Sequence, residues 1–511
     1  MDEERLEQKL RDYLKAEVKK VEPPVNWWDD AVSHLGERKP SFWEKYGGWL
    51  NRPLWRAVVP LVTVVMVVGL LWGTGVLPGF KGVPNPTQPP VIGGMGGTYP
   101  VIVSSVTDDS SGGAFVAYKV DKSSDVQDVH LLSISSQGDY LWDKVMFAGD
   151  GKRCTISKLI SDDEGNAVLA WYVSISDSEK EDAYKFDHFT VAKVNSGGQV
   201  LWKKDLDVEV ADMITDGSGG IVVTWQNQDG FGLRRIDASG AILWERNIDE
   251  KVSNLQLANA QDGVLVLWDD LFKNSFIVYK SRLDGSVLWG ADGIQVNYSS
   301  SPLQYQPQIT GDGIGGALVS WAEASSEGKM SQIVLSRIDT NGNLLWRSSL
   351  RSLSSTAHPK TNLVSDGSGE AIVFWEDHRQ GMAVYAQKIN SAGQAEWQEN
   401  GVPVYVDLAS ISPRFAAVSD GTGGAFIVLR AGTGSLTAQR LDASGNKPWG
   451  ECLAIADNAA DLPLIVSANN RNGAILGWVP SAEQNLESAF VQMVDLTGKL
   501  VWGAGGVGIS K

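Results

Sequence analysis

The sequence predicts an all-β protein, an eight-bladed β-propeller preceded by a short α-helical segment and one membrane-spanning helix. Three observations carry that expectation. Eight segments close on a tryptophan that follows a turn: GDYLW at Trp142, GQVLW at Trp202, GAILW at Trp244, GSVLW at Trp289, GNLLW at Trp346, GQAEW at Trp397, GNKPW at Trp449 and GKLVW at Trp502. A second landmark precedes each closing residue, at Tyr118, Trp171, Trp225, Trp268, Trp321, Trp375, Leu429 and Trp478. The two series take 14 of the 20 tryptophans, and the other six lie at or before Trp72, so every later tryptophan belongs to the repeat. Third, glycine-rich turns of the DGSGG, DGIGG and DGTGG type recur at a fixed place in the unit.

The unit from Gln306 to Trp346 reads as four short strands, PQIT, ALVSW, QIVLSRI and the run through NLLW, each alternating apolar with small or polar residues. In the first hairpin turn Asp accepts backbone N–H groups and Gly supplies positive φ. The I/L-D-x-x-G segment before the closing tryptophan is a second hairpin. A lone four-stranded sheet cannot bury both faces, whereas radial stacking of eight does, with the tryptophans filling the space between sheets. Intervals of 42 to 60 residues between closing tryptophans indicate constant cores and variable loops. Seven blades plus a divergent appendage is the competing count.

Before the repeats the chain divides into a helical cytoplasmic segment (1–53), a transmembrane helix (54–77) and a Pro/Gly-rich linker (78–97), with the propeller over 98–511. Leu6, Leu10, Tyr13, Leu14 and Val18 form one stripe of a helix that ends before Pro23 and Pro24. Asn26 can cap a second short helix bearing Trp28, Val32 and Leu35. So small a core calls for self-association or a cytoplasmic protein partner. Ala57 to Leu77 holds 21 residues without a charged side chain, which as a helix would span about 32 Å of lipid bilayer. A cleaved signal peptide would have a shorter apolar core and a much shorter leader than the 56 residues that precede it. Arg38, Lys39, Lys45, Arg52 and Arg56 stand before the span and only Lys81 closely after it, so the N-terminus is expected in the cytoplasm and the propeller outside. PGFKGVPNPTQPPVIGGMGG reads as a linker with a PPII-prone part and a glycine hinge.

The formal charge of −17 falls unevenly: residues 1–56 carry 11 acidic and 11 basic side chains, leaving 50 against 33 for the rest. An acidic propeller repels phosphate, which excludes nucleic acid as its partner and leaves cations, proteins or glycans. Cys154 and Cys452 are the only cysteines and have no metal-ligand spacing. Each lies at the entry to a different repeat, and two separate buried thiols are expected.

Catalytic chemistry finds few parts. His34, His130, His188, His358 and His378 are scattered and show no HExxH or HxH spacing. The run around Ser218 matches a nucleophile elbow only loosely and fits a repeat turn better. Asp216, Asp312, Asp366 and Asp420 could suggest calcium, but that ion takes six to eight oxygens and each loop offers one carboxylate, so turn residues are expected. Asp377 and Arg379 fit a structural ion pair. Val173 to His188, with Asp177, Glu179, Glu181, Asp182 and Asp187, is an acidic excursion of the second unit, where partner specificity often resides when it is not simply a solvated loop. No catalytic, cofactor-binding or metal residue is assigned, and no cofactor is expected.

Trp375 to Lys388, WEDHRQGMAVYAQK, resembles a class of bacterial secreted propellers whose units read roughly GGAxVxWxDxR…IYAQRID…G…LW, and SLTAQRLDASG around Leu441 follows it less fully. The closing element, as in IDASGAILW, is similar to the tryptophan-docking motif of quinoprotein-type eight-bladed propellers, with Ser239 and Gly240 in a shorter turn. The adjacent cysteine pair found beside the cofactor in quinoprotein alcohol dehydrogenases is absent, so no cofactor site follows from the likeness. The first 80 residues are similar in arrangement to membrane-spanning anti-sigma factors, which implies transmembrane signalling, although the zinc-binding His/Cys motif of that family is missing. Together these features predict a membrane-tethered propeller for binding a protein or glycan outside the cytoplasm. An extracytoplasmic enzyme of quinoprotein or glycan-cleaving type, and a purely structural envelope scaffold, are the alternatives.

Overall fold

The computed structural model describes residues 99–511, apart from 124–125, 177–183, 228–229, 271–274, 299–306, 325–330, 353–359, 380, 408–413, 433, 470–472 and 482–487. The expected cytoplasmic helices, membrane span and linker therefore lie outside the described residues. Among those that are described, no helix is long and apolar enough to cross a membrane. The chain divides into units Met1–Asn85 and Pro86–Lys511, and all that follows concerns the second.

That unit contains eight sheets, each of four consecutive antiparallel strands. The blades span 101–147, 153–206, 210–248, 252–297, 308–352, 361–407, 414–456 and 465–510. First strands neighbour first strands from blade to blade, and the first strand of blade 8 neighbours that of blade 1. The ring is thus closed with eight blades. Among the described residues every sheet is built from consecutive strands, and none of those strands is exchanged to fasten the ring.

The core lies between blades, in eight apolar layers. Tyr118, Val491 and Ile509 belong to the layer between blades 8 and 1, and Cys154 and Trp171 to that between blades 1 and 2. This position explains a departure from simple alternation. Second and third strands are covered on both faces, so Ala371–Asp377 is buried throughout, as a sheet packed on two sides requires. Outermost strands such as Val200–Leu206 alternate towards solvent, as does the first strand of blade 2, Arg153–Ser161.

The closing tryptophan was expected to end its unit, and the structure shows two arrangements instead. In blades 1, 2, 3 and 5 the outermost strand begins just before the tryptophan and runs beyond it, as Leu344–Ser352 does around Trp346. In blades 4, 6, 7 and 8 a glycine-containing turn follows the tryptophan, and the outermost strand comes later and shorter, as in Ile294–Asn297. Blades 6 to 8 brace that turn with a buried glutamine from the third strand. Gln387 donates to Gln398 O and accepts from Trp397 N, Gln492 does the same at Gly503 O and Trp502 N, and Gln439 donates to Gly450 O.

Candidate functional site

An up-and-down blade has two ends of different character. One end gathers the turns between first and second and between third and fourth strands. The other gathers the loops between second and third strands and the connections from blade to blade.

At the turn end the repeated aspartates, arginines and tryptophans are committed to turns and to neighbouring blades. Asp216 Oδ1 accepts from Ser218 N (2.9 Å) and Gly220 N (2.8 Å), and Asp312 and Asp420 make the same pair of bonds in their turns. The second carboxylate oxygen meets a third-strand cation: Arg235 for Asp216 (2.8 Å), Arg337 for Asp312 (3.0 Å), Lys388 for Asp366 (3.5 Å) and Arg440 for Asp420 (2.8 Å). Burial opposes ionisation of Asp216, but the Ser218 N–H and the Arg235 guanidinium hold its carboxyl below the usual range. Ser218 donates its N–H and hydroxyl to Asp216 and accepts from Arg235, so it is a turn residue and not an exposed nucleophile.

The other turn docks the neighbour. Trp244 Nε1 donates to Leu283 O of the next blade (2.8 Å), Trp346 to Ser391 O (2.9 Å) and Trp449 to Leu496 O (3.0 Å). The remaining five closing tryptophans do likewise, and the last, Trp502, reaches Ser136 O of blade 1 at 3.3 Å to complete the circuit. Each indole lies on a turn glycine. A Cβ on Gly393 would come within 2.7 Å of the Trp346 ring, and its φ of 83° is itself a glycine conformation. In blades 3, 5 and 7 the arginine that holds the turn aspartate also donates to the carbonyl that receives the tryptophan.

The loop end is built differently. Its second-to-third-strand loops run from two residues (124–125) to nine (479–487), and its inter-blade connections from three (207–209) to ten (298–307). By contrast, six of the eight first turns have the same five-residue length. The described connections expose carboxylates at Asp150, Asp207, Glu209, Asp249, Glu250, Asp457 and Asp461. Chemically, this end offers a varied acidic surface suited to cationic or hydrogen-bonding partners.

Between the blades lie polar clusters that no repeat pattern announces. Trp321 Nε1 donates to the buried Glu323 (2.7 Å), which also takes a 2.5 Å bond from Arg347. Tyr118, which stands where six of the other blades have tryptophan, donates to Asp143 (2.6 Å) with the buried His130 beside both. Burial would raise the Asp143 carboxyl, yet hydrogen bonds from His130, Lys511 and Tyr118 bring it to about 2.

The other sequence-marked residues are dispersed. Arg379 and Asp377 form the expected ion pair (2.6 Å), and burial, which would raise the Asp377 carboxyl, is outweighed by Arg379 and Trp375. His378 bonds Glu376 (3.0 Å) within the same blade. Of the acidic excursion, 177–183 lies outside the described residues, while Asp187 is bound by Lys152 (2.9 Å) and His188 (3.1 Å). His34 and His358 also lie outside them. Cys154 and Cys452 are both free, in blades 2 and 7, with the Cys154 thiol pushed up to about 12 by burial. Cys452 adjoins the outermost strand of its blade and not the start of the unit. Among the described residues no three His, Cys, Asp or Glu side chains stand together as a metal site.

No family model and no curated relative matches the chain. Solved structures resemble it in fold. The β-propeller domain of the trilobed protease from Pyrococcus furiosus is 10% identical over 68% of this chain and 95% of that one, with a TM-score of 0.40. The Dos1 propeller is 11% identical over 74% and 92%, with a TM-score of 0.43. A prolyl endopeptidase is 11% identical over 75% of this chain and 55% of its own, with a TM-score of 0.44. At such identities the likeness concerns fold alone.

Proposed function

We propose that the chain is a membrane-tethered, non-enzymatic propeller that binds a protein or glycan outside the cytoplasm through the loop end of its ring, with the N-terminal segment engaging a cytoplasmic protein to signal inward. The observation that carries this reading is the asymmetry between the two ends. Turn-end aspartates, arginines and tryptophans hold turns and neighbouring blades, whereas loop-end segments differ in length and expose carboxylates such as Glu209 and Asp249 on the connections between blades. Recognition sites are commonly placed on loops carried by such a rigid scaffold.

The test compares charge substitutions at the two ends. Binding of the full chain would be measured against a panel of basic peptides and soluble envelope polysaccharides. Glu209→Lys with Asp249→Lys at the loop end is expected to weaken the selected ligand at least tenfold, while Asp139→Lys and Asp163→Lys at exposed positions of the turn end leave it unchanged. Loss of binding from the turn-end substitutions alone would overturn the assignment of the face.

A further inference from the structure

The eight seams of the ring are not equivalent. Seven are spanned by the chain itself, which passes from the outermost strand of one blade to the first strand of the next. In six of these seven, a cation of one blade also donates to a turn carbonyl of the next: Lys144 to Gly198, Lys193 to Gly219, Arg235 to Leu283, Lys280 to Gly315, Arg337 to Ser391 and Arg440 to Leu496. Between blades 8 and 1 no connection passes within the ring. The position equivalent to Arg440 is Met493, which cannot donate, and the position of the turn aspartate is Asn469.

This seam is closed by other means. Val101, Val103, Val116 and Tyr118 pack on Val491, Val507 and Ile509. Tyr140 donates to Gly508 O (2.8 Å), Asn469 to Asp108 (2.8 Å), and Lys511 pairs with Asp143 (2.5 Å). The docking bond of Trp502, 3.3 Å, is the longest of the eight. One backbone bond, Tyr99 N to Lys511 O at 3.3 Å, runs between the chain just before blade 1 and the end of blade 8. All these contacts can separate without breaking a strand ladder or stretching a connection, because each blade keeps its own four strands. At any other seam, parting must also pull on a covalent connection, in places only three residues long (207–209).

We propose that the propeller is a split ring that opens at the seam between blades 8 and 1 while its other seams stay shut, a parting line built into the fold. Opening there is a local event drawn from the less stable end of the native ensemble and precedes global unfolding. It admits solvent to the apolar layer between those two blades alone.

Two equivalent third-strand valines make the comparison direct. Val491 is fully buried in the 8–1 layer and Val278 fully buried in the 4–5 layer, each two residues before the latch position. Val491→Cys and Val278→Cys would be made separately in the full chain. Their modification by a maleimide would be followed by peptide-resolved mass spectrometry under native conditions, normalised to the rate in denaturant. The introduced thiol at 491 is expected to react on the order of tenfold faster than that at 278. Equal rates, or a faster reaction at 278, would overturn the split ring. Adding Met493→Arg to the 491 chain, with Asn469 kept for its bond to Asp108, supplies the missing cation and is expected to slow its labelling towards the rate at 278. An unchanged rate in that fully folded chain would refute the latch as the cause of the difference.

Discussion

A buried tryptophan brings an indole N–H that must be satisfied as well as a ring that must be packed, and Trp321 shows how this chain does both. Its ring is fully buried, its N–H is taken by Glu323, and the Arg347 guanidinium lies 5.0 Å from the ring centroid. Trp321→Ala is expected to cost roughly 3 to 5 kcal/mol in urea unfolding, since it opens a cavity and removes a partner from a buried carboxylate. A loss below about 1 kcal/mol would mean that the layer collapses around the gap. The tryptophan positions were legible in the sequence because they recur. Their partners were not: Glu323 sits two residues on, but Arg347 comes from a different strand, and Tyr118 with His130 and Asp143 replaces the pattern altogether.

A second residue carries a pH signature. Burial pushes the Asp269 carboxyl up to about 6, and hydrogen bonds from Tyr298 and Asn254 offset this only in part. An unfolded Asp titrates near 3.9, so between about pH 4 and 6 the native chain holds a proton that the unfolded chain has lost. Stability therefore falls as pH rises through that window. Asp269→Asn is expected to recover about 1 to 2 kcal/mol above pH 6, allowing for partial exposure, and nothing below pH 4. Thermal unfolding across pH 3 to 8 checks this, and a variant that keeps the parent slope between pH 4 and 6 would contradict it.

At the scale of elements, turn chemistry translated most directly into structure. Asp and Gly in the DGSGG-type turns do what their chemistry dictates, because the bonds involved are local to five residues. The outermost strands were harder to place. A tryptophan followed by Arg-Ser-Ser continues as a strand in blade 5, whereas one followed by Gly-Ala-Asp-Gly turns first in blade 4. The deciding glycines lie after the landmark that had been taken as the end of the unit. Continuing outermost strands leave an unpaired edge, and eight large apolar side chains are exposed along those of blades 1, 2, 3 and 5, among them Leu201, Leu243 and Leu345. Lys144, Lys203, Lys204, Arg246 and Arg347 follow the docking tryptophans there, placing charge on edges that would otherwise invite strand pairing. The cation-to-carbonyl latches escaped the sequence reading. Lys144 comes from a fourth strand, and the other five stand at one position near the end of the third strand, Lys193, Arg235, Lys280, Arg337 and Arg440, where blades 1, 6 and 8 have Ser133, Lys388 and Met493.

For the whole molecule, the closed ring of eight follows from a relation that repeats around a circle, each docking tryptophan reaching the next blade and the last reaching the first. Function was less legible, because a propeller draws single residues from many blades and no local motif records where they meet. What the chain as a whole adds is asymmetry of charge and of ends: an acidic ring behind a charge-free stretch of 21 residues, with its varied segments gathered on one face. That face is proposed to work outside the cytoplasm. Reporter fusions joined after Lys81 and after Lys511 test this most directly, using one enzyme active only outside the cytoplasm and one active only within it. Both junctions are expected to support the external reporter and silence the internal one, and internal activity at both junctions would contradict a propeller outside the cytoplasm.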